Sequence, residues 1–139
     1  MRILALSILT LSLMVACSQS ESQTELTLDQ QVDKLIAEEQ FDEAHALLDD
    51  EPASEGVSEL REKVHLEHGI HLIYSADPAE MRENANNALR EFISVLEINP
   101  DNEKARAETE QILSIYRTFP DRQPAEDVLD QLRELGFQI

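Results

Sequence analysis

The chain has 139 residues, with 29 Asp and Glu against 11 Lys and Arg, and a formal net charge of −18. So acidic a protein is a poor nucleic-acid binder, because affinity for the phosphate backbone comes from Lys and Arg. Nor does its charge draw it to an anionic membrane surface. Solubility or a saline habitat accounts for the charge as well as steering of a basic partner does.

The chain opens with Met1-Arg2 and runs from Ile3 to Ala16 with only Ser7, Thr10 and Ser12 as polar interruptions. As a helix this stretch would rise about 21 Å, short of the ~30 Å hydrocarbon core of a bilayer. It fits the apolar region of a signal peptide better than a membrane span. The other reading is a buried N-terminal helix. Such a helix would not be apolar on every side and then meet Ser18-Gln19-Ser20-Glu21-Ser22-Gln23 directly. Cys17 is the only cysteine, and an unpaired thiol in an exported protein invites oxidation. Met14-Val15-Ala16-Cys17 resembles a bacterial lipobox, with Met14 where Leu is usual. The resemblance implies cleavage after residue 16, a diacylglycerol thioether on Cys17 and, in many Gram-negative bacteria, a third acyl chain on its amine. Acyl chains at ~0.8 kcal/mol per buried methylene hold a protein on a membrane. Ser18 after the cysteine, rather than Asp, implies the outer membrane, facing the periplasm. Loss of Arg2 with the leader would take the net charge from −18 to −19.

Residues 17–26 then read as the lipidated cysteine and a flexible Ser/Gln/Glu tether, and residues 27–139 as an all-helical domain. With three glycines and six aromatics, nothing alternates convincingly as a strand. Thr27 to Gln30 is a capping box, followed by Leu28, Val32, Leu35 and Ile36 at helical spacing. A second helix carries Phe41, Ala44, Leu47 and Leu48, and Asp50-Glu51-Pro52 ends it. The third spans about Val57 to Tyr74. Asp77-Pro78-Ala79-Glu80 is a start signal for the fourth, which places Met81, Ala85, Ala88, Leu89, Phe92, Val95 and Leu96 on one face before Asn99-Pro100. A fifth carries Ala105, Thr109, Ile112, Leu113 and Tyr116, and a sixth, after Pro124, Val128, Leu129, Leu132 and Leu135. Gly136 is placed to be its left-handed cap, folding Phe137 back on Leu132. Six helices with short loops predict three antiparallel hairpins around one modest core.

The stretch from Ala88 to Asn102 resembles the second helix of a tetratricopeptide repeat. Ala88, Phe92 and Pro100 stand at the intervals of that motif's small residue, aromatic and proline. Phe41-Asp42-Glu43-Ala44 resembles the start of the same helix in an earlier repeat, with Ala44 as the small residue. Gly69 corresponds to the close-contact glycine of the first helix, although it lies further ahead of Pro100 than the family spacing. That implies an extension near the turn, and a third helix pair without a clear motif resembles a capping unit. The resemblance covers residues 27–135 and implies a short superhelix of stacked hairpins. An unrelated six-helix bundle would follow the same packing logic.

His65, His68 and His71 repeat at intervals of three on the third helix. Neighbours three apart can share a metal, with Glu62 or Glu67 as an oxygen ligand. Each step falls short of a full turn, however, so one ion would hold two of the three at most. The alternative is that His65 and His68 fill half-polar positions between helices. No phosphate-cradling glycine loop, nucleophile elbow or free thiol is present, so no cofactor and no catalytic activity are expected.

The third helix carries a second apolar series, Leu66, Ile70 and Ile73 with Tyr74, besides Val57, Leu60 and Val64. Burial between flanking hairpins accounts for it, and so does a partner-binding groove. In the repeat register that groove holds Asp29, Asp33 and Ile36, then Leu66, Ile70, Ile73 and Tyr74, then Gln111, Ser114 and Ile115. The expected function is that of a membrane-anchored adaptor for a protein partner with a hydrophobic and basic segment. A periplasmic metal or small-ligand binding lipoprotein using His65, His68 and His71 is the alternative.

Overall fold

A computed structural model describes residues 25–75, 77–119 and 121–139. The leader over residues 1–16, Cys17 and most of the tether lie outside the described residues. The described residues are all-α: α1 Leu28–Ala37, α2 Phe41–Asp49, α3 Glu55–Tyr74, α4 Met81–Ile98, α5 Glu103–Arg117 and α6 Glu126–Glu134, arranged as helical hairpins. No helix among them is long and apolar enough to cross a membrane.

The helix ends follow from local chemistry. Thr27 and Gln30 form the reciprocal capping box at the start of α1. Ser54 caps α3 and Asn102 caps α5, each accepting a backbone N–H three residues on. Gly136 has φ of 85°, and Phe137 N–H donates to Leu132 O at 3.0 Å, as the left-handed cap requires. The tight α1–α2 turn does the same with Glu39 at φ 59°, and Gln40 N–H donates to Leu35 O. No glycine marked that turn in the sequence.

One start signal acts differently from its sequence pattern. Asp77 Oδ1 accepts the Ala79 N–H at 2.8 Å, and Glu80 N–H reaches Asp77 O at 3.1 Å. Those bonds make a single 3-10 turn over Pro78–Glu80, and α4 begins at Met81 without a side-chain cap.

The interior divides in two where one core was expected. A small cluster joins Val32, Ala44 and Leu48 of the first hairpin to Val57 and Val64 in the N-terminal half of α3. A larger one joins Ala88, Leu89, Phe92, Ile93, Val95 and Leu96 of α4 to Ala105, Ile112 and Leu113 of α5, Val128 and Leu132 of α6, and Phe137. Leu66, Ile70, Leu72 and Ile73, from the C-terminal half of α3, pack against this second cluster. The two apolar series on α3 thus serve two different cores. The most extensive pairing is that of α3 with α4, and α6 packs against α4.

At the centre of the α3–α4 pairing, a Cβ added to Gly69 would lie 2.5 Å from the Phe92 ring. Ala88 and Phe92 are both fully buried. A mid-helix glycine costs about 1 kcal/mol relative to alanine; here it admits an aromatic ring against the bare backbone.

Candidate functional site

Among the described residues, two places carry more than packing. The first is an apolar groove of about 500 Å³ where the C-terminal end of α3 meets α4 and α5. Ile73 and Tyr74 come from α3, Met81 and Ala85 from α4, and Ile112, Ile115 and Tyr116 from α5, with Phe119 just beyond. Large apolar groups stay in water there: Met81 is 68% exposed, Tyr74 57%, Ile115 54% and Phe119 47%. Such a concentration is uncommon on a surface that has only itself to cover.

One wall of the groove is held by a polar clasp. Tyr74 Oη donates to Glu108 Oε2 at 2.9 Å and accepts from Gln111 Nε2 at 3.0 Å. Glu108 is itself buried and takes a second bond from Lys104 Nζ at 2.6 Å. The bond to Glu108 pushes the Tyr74 hydroxyl above its ordinary pKa, so the phenol stays a donor. Charged residues at the groove are Asp77, Arg82 and Arg122, and the Arg122 guanidinium lies 5.4 Å from the centre of the Phe119 ring.

Of the residues assigned to a groove by sequence register, the structure brings Ile73, Tyr74, Gln111 and Ile115 together in this one. Leu66 and Ile70 are half-buried against the main core instead. Ser114 is exposed and its hydroxyl donates to Gln111 O at 2.8 Å. Asp29 and Asp33 lie on α1, where both face Lys63 of α3. Ile36, also on α1, packs against the small core. Met81 and Arg82 were missed because the register considered only the first helix of each hairpin, and Phe119 and Arg122 because they lie in the segment after α5. Exposed Met and Phe in otherwise polar contexts were the available signal.

The second place is a polar cluster at the seam between the two cores. His45 of α2, His65 and His68 of α3 and Glu91 of α4 converge there, each about a fifth to a quarter exposed. His65 Nδ1 donates to Glu91 Oε2 at 2.7 Å. His68 Nδ1 lies 3.3 Å from Oε1 but off the direction of a good hydrogen bond, and its ring stacks on Phe41 with centroids 4.7 Å apart. His45 Nε2 is 3.7 Å from Glu91 Oε2, buried and without a hydrogen-bond partner. Burial lowers the His45 pKa, and nearby His65 lowers it further, so the ring is held neutral. Burial pushes the Glu91 carboxyl up, but the hydrogen bond from His65 and the close approach of His68 outweigh it and bring the pKa down to about 2.

The ladder of three histidines read from α3 is therefore broken by the tertiary structure. His71 stands apart, 3.7 Å from Glu39 and tilted against Phe41. Glu62 accepts from Asn99 Nδ2 at 2.9 Å and Asn102 Nδ2 at 2.7 Å, which ties the α4–α5 loop to α3. The oxygen donor near the histidines is Glu91, and the additional imidazole is His45.

The chain matches no protein-family model, no curated protein and no solved structure.

Proposed function

We propose that this protein is a lipid-anchored adaptor of the bacterial cell envelope. In this reading a tetratricopeptide-like domain over residues 27–139 binds a segment of another protein, and catalyses nothing. The observation that carries the proposal is the α3–α4–α5 groove, where Tyr74, Met81, Ile115 and Phe119 leave apolar surface uncovered around a cavity of about 500 Å³. Its size and apolar lining, with a few polar groups at the edge, suit a few anchor side chains of a docked segment. The repeat-like reading is supported by the approach of Phe92 to Gly69 and by the burial of Ala88, which are the contacts that the resemblance implies.

The chemistry of the partner follows from charge at two ranges. The net charge of −18 favours encounter with a basic partner. At the groove, Arg82 and Arg122 are the cations, with Asp77 beside them. Asp29 and Asp33, on which the expectation of a basic segment rested, face Lys63 outside this groove, so the docked segment proposed here carries apolar anchors and at least one carboxylate, within a protein that is basic elsewhere. Anchoring through Cys17 rests on the lipobox resemblance, and Ser18 favours the outer membrane.

Site-specific photocrosslinking in intact cells tests the groove. A crosslinker at Met81 or Ile115 is expected to give one discrete adduct, absent when it is placed at the exposed Glu43 of α2. Combining it with Arg82→Glu should reduce the adduct without unfolding the domain. Adducts equally abundant from all three positions would sink the proposal. Cys17→Ser should abolish labelling by a clickable palmitate, and equal labelling of the two proteins would remove the anchor from the reading.

A further inference from the structure

We propose that His45, His65 and Glu91 form a binding site for a divalent transition-metal ion of the zinc class, which ties α2, α3 and α4 together at the seam between the two cores. One ligand atom from each of the three lies within 4.8 Å of the others. A tetrahedral ion with bonds of about 2.0–2.1 Å spaces its donors roughly 3.3–3.4 Å apart. Closure of the widest pair by at most about 1.4 Å therefore completes the site, within reach of side-chain rotations.

The donor set decides the class of ion. Two imidazoles and one carboxylate suit zinc and its neighbours, whereas calcium and magnesium take oxygen ligands. Three protein ligands leave a fourth position, and the cluster is partly open to solvent, so water can fill it. On binding, the ion takes the place of the Nδ1 hydrogen that His65 shares with Glu91 Oε2, and the ring carries its one hydrogen on Nε2 instead, so His65 ligates as a neutral imidazole. His68 lies 3.3 Å from the other carboxylate oxygen and stays outside the proposed ligand set.

A simple hydrogen-bonded cluster leaves two buried ring nitrogens without a partner, His45 Nε2 and His68 Nδ1, and the ring of His68 is stacked on Phe41. His45 Nε2 is buried, has no hydrogen-bond partner and points toward an oxygen of Glu91 that His65 already engages. A cation between His45 Nε2 and Glu91 Oε2, 3.7 Å apart, would give the buried nitrogen the partner it lacks.

The test is zinc binding by the full chain, purified in mild detergent and stripped with a chelator, with free Zn²⁺ set by a competing chelator. One equivalent should bind saturably and raise the melting temperature. His45→Gln and Glu91→Gln should each weaken it at least tenfold, while His71→Ala leaves affinity unchanged. Only weak, multi-site uptake by the acidic surface would overturn the proposal. So would tight binding that survives both ligand variants, or binding lost in His71→Ala. Substitution with Co²⁺ in the unaltered chain gives a check that needs no variant. A four- or five-coordinate visible spectrum is expected, and a six-coordinate one would refute the site.

Discussion

The two cores of this protein are built to different standards. The small one rests on Val32, Ala44, Leu48, Val57 and Val64, side chains that bury little area each and come from two short helices and half of a long one. The large one has Phe92 set against Gly69, flanked by Leu89, Leu96 and Leu132, and draws on four helices and the Phe137 fold-back. The first hairpin is therefore held as much by its attachments to α3 as by its own packing. Arg61 Nη2 donates to Leu48 O at 2.6 Å and caps the end of α2. Lys63 reaches Asp29 and Asp33 of α1. His45 joins the seam cluster. An interior of this kind shows that one long helix can couple a weak unit to a strong one, and that polar groups accumulate where the two meet.

Unequal truncations are the sharpest way to break the comparison. Phe92→Ala should cost ~3–5 kcal/mol and Leu48→Ala ~2–5 kcal/mol. Because α3 runs unbroken through both clusters, each variant should shift a single cooperative transition in urea, followed by circular dichroism. A two-step curve for Leu48→Ala would show that the first hairpin unfolds alone. The next effect is smaller and has opposing parts. Gly69→Ala gains about 1 kcal/mol in helix propensity, yet its methyl meets the Phe92 ring. Overpacking of that kind costs ~1–3 kcal/mol, so a net loss is expected in thermal melts, while the same change at the exposed, unobstructed Gly56 should stabilise.

The smallest effect concerns α6, which reaches α4 partly through Arg90 and Asp127. Arg90 Nη2 donates to Asp127 Oδ2 at 2.9 Å, and this bond holds the Asp127 carboxyl below the ordinary aspartate range. A depressed carboxyl pKa gives stability that is present above the unfolded-state value and lost as pH falls through the folded one. In Arg90→Ala the Asp127 titration, followed by NMR, should move up toward the ordinary value. An unmoved titration would show that solvent screens the pair completely.

Much of the fold was legible because helices are specified locally. The Thr27 capping box, the Gly136 and Phe137 termination and the stripe from Ala88 to Leu96 each lie within a few turns of chain, where side chains three or four apart share a face. The second apolar series on α3 was also legible, but its purpose was not. Leu66 and Ile70 went to the core, while Ile73 and Tyr74 border the groove. These residues differ only in how far along α3 its neighbours still cover it.

The six helices among the described residues, their buried faces and the caps at Thr27 and Gly136 follow from the sequence, since each depends on contacts within one segment and on a period of 3.6 residues. It also supplied the histidines. Which of them meet depends on how the helices pack. His65 and Glu91 are 26 residues apart and touch because α3 and α4 pack along their length. His45 arrives from a third helix, and His71, on the same helix as His65, turns away to Glu39. Local periodicity places a residue on a face of its own helix and carries no information about which face of another helix comes to meet it.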